Sequence, residues 1–255
     1  MKKILFYVAV LGIFFALGCR NEKPVDPKTP DAPSDTPEVK MVIRHEFNGE
    51  LINFNSVEYN TTHNLVSFAE LSYFLTDFEF KKLDGTWMPF DYQALIMARQ
   101  KPVDTLVFTN LPKGAYQGVR FKLGVDSINN HADPALWPNE HPFSIMRGGT
   151  MHWSWNSGYI FFKIEGRFFK DAPIQGAYSY HIGRDDLITQ YTFEDISFNY
   201  NDNTVMLPMR FEANNFFESP HQHVMRDSAL FSHSAFGDEV AEILHGNMIN
   251  LIFKD

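Results

Sequence analysis

Residues 71–83 read Leu-Ser-Tyr-Phe-Leu-Thr-Asp-Phe-Glu-Phe-Lys-Lys-Leu and are followed by Asp84-Gly85. Large apolar side chains alternate with polar ones through much of this stretch, which is the two-residue period of a strand, and Asp-Gly is a turn dipeptide. The same reading extends outward. An earlier strand is expected over 41–47, and later ones over 106–109, 116–125, 159–166, 177–182, 190–200 and 204–212. Turns fall at Pro112-Lys113-Gly114 and at Asn201-Asp202-Asn203. The 25 Phe suit an aromatic-packed, strand-rich core. Helical signals are few: one turn at Ala135-Leu136 after Asp133-Pro134, and a short helix over 238–244 with Asp238 as its N-cap. The expected fold is all-β, an antiparallel β-sandwich with long loops and at most one or two short helices. The stretch 127–155 breaks the pattern. It is rich in Asn, His, Pro, Trp and Gly, and a connection that long inside a β domain marks a functional loop.

The N-terminus reads as targeting, not fold. Lys2 and Lys3 precede an apolar run over 4–17, which Gly18-Cys19 closes. A run of roughly 14 residues falls short of the roughly 20 that span a bilayer as a helix. Cys19 is the single cysteine, so no internal disulfide is available, and its position after Ala16-Leu17-Gly18 resembles a lipobox. The expectation is a signal peptide over 1–18, a lipidated Cys19 held in a bilayer, a Pro-rich tether over 19–40 and one folded domain over 41–255. Pro24, Pro27, Pro30, Pro33 and Pro37 recur in the tether among polar residues that cannot form a core. Export as a membrane-anchored lipoprotein follows, with the outer membrane favoured and the domain facing the periplasm or the cell surface.

A formal net charge of −9 argues against nucleic acid as a partner and is compatible with a cation. The chain has no G-x-S-x-G, no HExxH and no phosphate loop, so a non-catalytic protein is expected. Ten His are a mild excess in an acidic chain, and imidazole is a ligand for copper and zinc. His131, His141 and His152 fall in or beside the long loop, with Asp126, Asp133 and Glu140 close in sequence, while His181 lies on a later strand. His221 and His223 form a second candidate, because residues two apart on a strand face the same way. A structural role competes with ligation for every one of these rings, and His233 and His245 show no ligand-like spacing.

Three runs carry a resemblance: GAYQGVRFKLGVDSINNHADP over 114–134, MHWSWNSGYIFFKIEG over 151–166 and YSYHIG over 178–183. Together, over about 70 residues, they resemble the MbnP-like family of copper-binding periplasmic proteins and bacterial lipoproteins. The resemblance implies a β-sandwich, copper as Cu(I), and His131 and His181 as ligands at the matching motif positions; His152, at a position that is not His in the family pattern, is a further candidate ligand from its place before Trp153. The resemblance also implies a dihaem peroxidase partner of the MbnH type that oxidises a Trp to kynurenine, with Trp153 and Trp155 as the candidates. Opening an indole ring exposes an aryl amine and a ketone, which turns a residue without a metal-binding lone pair into a ligand. The rival expectation is a surface module that binds a peptide, glycan or partner protein through the aromatic loop that holds Trp137, Trp153 and Trp155.

Overall fold

The structure is a computed structural model and describes residues 37–55, 57–154, 158–169, 176–225 and 230–255. Cys19, the signal segment, most of the tether and Trp155 lie outside the described residues. Ten strands carry the architecture: β1 (Val39–Phe47), β2 (Leu65–Lys82), β3 (Val103–Phe108), β4 (Gly114–Leu123), β5 (Phe162–Phe169), β6 (Gly176–Ile182), β7 (Thr189–Phe193), β8 (Val205–Glu212), β9 (Phe231–Ser232) and β10 (Ile252–Lys254). Helices are α1 (Ser127–Asn130), α2 (Ile145–Gly148), α3 (Asn214–Glu218) and α4 (Glu239–Met248).

Two sheets face one another across an aromatic core. The smaller runs β10–β8–β1, with β3 also paired to β1 and the short Glu50–Leu51 strand at its edge. The larger runs β7–β4–β2–β5–β6–β9, with four shorter strands paired to β2 or β4. The protein is predominantly β, as the alternation implied. It is not purely antiparallel: β1 runs parallel to β8, with Val39 opposite Val205 and Glu46 opposite Glu212. β9 likewise runs parallel to β6. The helix capped by Asp238 stands where the sequence suggested, and further short helical turns arise where Asp126 and Ser144 cap them through their side chains.

β1 illustrates how pattern becomes packing. Val39, Met41, Ile43 and Phe47 alternate with less buried neighbours and point into the core. On the facing sheet Tyr73 stacks on Phe211 of β8 with ring centroids 5.2 Å apart, and His45 packs against both rings. His45 donates from Nδ1 to the Pro102 carbonyl at 2.9 Å and accepts at Nε2 from the Tyr73 hydroxyl at 2.8 Å, so the buried ring is satisfied as a neutral imidazole.

β2 departs from simple alternation. Leu71 through Thr76 are buried on both faces of the sheet. Tyr73 and Leu75 belong to the main core, whereas Phe74 belongs to a second cluster with Phe143, Met151, Tyr159, Ile160 and Phe161. Phe74 meets Phe143 and Tyr159 edge-on, each at 5.5 Å. The long loop is therefore folded down on the outer face of the large sheet, where it builds its own small core. A β-bulge between Thr76 and Glu79, with Asp77 at φ 52°, then returns β2 to ordinary one-sided burial.

Candidate functional site

The second core fixes the loop, and the loop fixes His131. Asp126 accepts from the amides of Ile128 and Asn129, starting α1, and His131 closes it one turn later. Asn130, buried between them, takes the Tyr159 amide on its side-chain oxygen and gives its own amide to Asp185, both at 2.7 Å. Gly158 permits this approach: it sits at φ 76°, and a Cβ there would lie 2.3 Å from Asn130 Oδ1.

Asp185 is the hub. It accepts from Ser127 and Asn130, and its Oδ2 lies 3.1 Å from His131 Nε2. Burial works against the carboxylate, but these three hydrogen bonds outweigh it and hold Asp185 below the usual carboxylate range. The geometry has His131 donating from Nε2, which leaves Nδ1 with a lone pair.

His131 and Trp153 line one cavity of about 690 Å³, together with Arg184, Asp185, Ser234 and Phe236. Trp153 stands on the short strand His152–Ser154, half-buried against the second core, and its indole N–H is buried with no hydrogen-bond partner among the described residues. Arg184 lines the same cavity. Its guanidinium is bidentate to Asp186 at 2.6 and 2.7 Å, pairs with Glu242 at 2.6 Å, reaches the Ser234 and Ala235 carbonyls and lies over the Phe236 ring. With its donors so used, Arg184 shapes the cavity and is not poised to capture an anion.

The other predicted residues fall elsewhere. His181 lies on β6 with Nε2 2.7 Å from Glu165 and 3.1 Å from the Ser179 hydroxyl, and its ring meets that of His233. His152 turns its ring edge onto Tyr159 at 4.7 Å, and burial lowers its pKa. His141 stacks on Trp137 at 4.2 Å and accepts the Phe143 amide, a loop-building role. Asp133 caps the turn Pro134–Leu136. His221 and His223 do not share a face: the segment is not a strand, His221 is exposed, and His223 is buried with Nε2 2.9 Å from the Tyr180 hydroxyl.

Sequence reasoning missed two residues. Asp185 carries no motif signal, and only its place after Gly183-Arg184, folded back on α1, makes it the partner of His131. His233 lacked ligand spacing because its neighbour His181 is supplied by a different strand.

Among the described residues, no three His, Cys, Asp or Glu side chains are grouped to hold a metal. A closed tetrahedral or octahedral cage is therefore not assembled from them, whereas a soft, low-coordinate ion needs fewer donors. His131, with a carboxylate behind Nε2, offers a single donor, Nδ1, when its ring is neutral.

These features define a two-sheet β protein with a loop-built cavity on the outer face of its larger sheet. The MbnP family model matches residues 36–234, most of the 255-residue chain, and the chain belongs to that family. Among solved structures it is similar to MbnP from Methylosinus trichosporium, at 18% identity and a TM-score of 0.57, over 82% of this chain and 87% of that one. At that identity the likeness concerns the fold. No curated protein matches the chain.

Proposed function

We propose that the chain is an exported, lipid-anchored protein that binds and handles copper as Cu(I) without catalytic turnover. The observation that carries this reading is that His131, braced by Asp185, and Trp153 line the same cavity in a member of the MbnP family. His131 Nδ1 is one donor. Trp153 becomes another only if its indole is opened, which requires an external oxidant. A dihaem peroxidase partner would supply it, and Trp155 is the alternative target. Bound Cu(I) would contribute soft-acid affinity for imidazole and aryl-amine nitrogen. The protein's part is to orient the ring, hold its tautomer and keep bulk water from one side of the site.

Cys19 and the Pro-rich segment after it support anchoring at a membrane surface, with the outer membrane favoured. Among the described residues no helix is long and apolar enough to cross a membrane. Titration of the chain from its native host with Cu(I), against a chelator of moderate affinity, should give one tightly held equivalent. No copper retained would refute the reading.

A second reading, a surface interaction module, draws on the exposed Ile128, Leu136 and Met146 of the same loop. Replacing Ile128 and Met146 by Glu separates the two: copper binding persists under the first reading, and partner recruitment without copper supports the second.

A further inference from the structure

Beyond His131, the walls of the cavity carry acceptors and aromatic faces, and their one cation is spent. All five N–H groups of Arg184 have acceptors: Nε on Asp186, Nη1 on the Ser234 and Ala235 carbonyls, Nη2 on Asp186 and Glu242. Three carboxylates, Asp185, Asp186 and Glu242, therefore gather round a single guanidinium. Side-chain exposures of 40%, 56% and 50% leave each of them accessible. Hydrogen bonds from Arg184 hold Asp186 below the usual carboxylate range, and Asp185 lies below it too, so both are ionised near pH 7. Both keep acceptor capacity. Among the described residues Asp185 Oδ1 accepts only from Asn130, and each Asp186 oxygen takes one side-chain hydrogen bond, from Arg184.

The aromatic faces are those of Trp153 and Phe236. Arg184 lies over the Phe236 ring at 4.6 Å, yet Phe236 is 88% exposed and has room for a further contact. The cavity, at about 690 Å³, falls within the roughly 300–1,000 Å³ of small-molecule sites. Its chemistry sorts the occupants. An anion finds no free donor on Arg184 and meets an excess of negative charge. A neutral apolar molecule would strip water from the carboxylates and return nothing. A cation on an apolar body answers both needs, since its charge suits the carboxylates and the aromatic faces alike.

We infer that the cavity binds a small organic cation, an ammonium on an alkyl or aryl body, with its head at Asp185 and Asp186 and its body against Trp153 and Phe236. The site goes beyond copper binding and does not rest on it, because no part of it uses a lone pair of His131.

Calorimetric titration of the metal-free full chain tests the inference with three probes of one shape: 2-phenylethylammonium, neutral 2-phenylethanol and anionic 3-phenylpropanoate. The ammonium should bind at least tenfold more tightly than the alcohol, and the anion more weakly than either. Asp186→Asn and Phe236→Ala should each weaken the ammonium at least threefold, whereas Phe236→Tyr should keep wild-type affinity. Phe236 is exposed, so Phe236→Ala should unfold at the wild-type temperature, and a weakened affinity there reports the site. His131→Ala should hold the ammonium within about twofold of wild type, which separates this site from the copper reading. Equal affinity for ammonium and alcohol would overturn the inference, as would no binding by wild type or wild-type affinity in Phe236→Ala.

Discussion

Asp185 joins two segments far apart in sequence: one carboxylate oxygen lies 3.1 Å from His131 Nε2, and the other accepts the side-chain amide of buried Asn130 at 2.7 Å. It therefore both orients the ring and pins α1. Asp185→Asn should lower Cu(I) affinity about 10- to 100-fold, because a carboxylate behind a ligating imidazole fixes its tautomer and raises its basicity. It should also cost about 1–3 kcal/mol of folding free energy from the weakened hydrogen bonds. Chelator competition and urea unfolding of the same variant read the two effects separately. An unchanged copper affinity would show that Asp185 serves the fold alone.

His45 gives the fold a defined pH dependence. Burial lowers its pKa to about 4 against the opposing pull of the Pro102 hydrogen bond and Asp104, whereas the unfolded ring titrates near 6.5. The unfolded chain therefore binds the proton first. Stability from this group is complete above pH 6.5, declines as pH falls from there, and levels off below about 4. The full span is about 3 kcal/mol. His45→Gln, which keeps a donor and an acceptor, should flatten this part of the curve. Urea midpoints for both proteins between pH 4 and 7 measure the difference, and parallel curves would contradict it.

Phe211 links the sheets through Tyr73 and Phe162 and packs on His45 of its own sheet. Phe211→Ala should destabilise the domain by about 3–5 kcal/mol, from lost burial and the cavity left behind. Thermal unfolding would show a lowered midpoint. A loss below about 1 kcal/mol would mean that this stacked cluster does not knit the sheets.

Much of the fold was legible because a strand's two-residue period survives wherever only one face is buried. Val39, Met41, Ile43 and Phe47 show it plainly. The period fails at residues 71–76, where Phe74 is buried beneath the long loop, a condition that depends on distant residues such as Phe143 and Tyr159. The parallel pairing of β1 with β8 is equally non-local. For the site, the motif runs named His131, His181, His152, Trp153 and Trp155; His131 and Trp153 line one cavity, His181 and His152 do not line it, and Trp155 lies outside the described residues. The same runs could not reveal Asp185 as the brace of His131 or His233 as the neighbour of His181, since each depends on a strand pairing or chain reversal with no local signature.

Intact mass of protein from the native host checks two further expectations together. Processing at Cys19 should remove residues 1–18 and add acyl chains. Conversion of one Trp to kynurenine should add one oxygen and remove one carbon, with fragments placing the change at Trp153 or Trp155. An unprocessed N-terminus or unaltered indoles would remove the corresponding part of the proposal.

The central claim is that His131 holds copper in the cavity it shares with Trp153. Side-by-side Cu(I) competition titrations of wild type and His131→Ala test it most directly. The predicted result is one tightly bound equivalent in wild type and at least a tenfold weaker one in the variant, with the fold intact by circular dichroism. Equal Cu(I) affinity in the two proteins would contradict it.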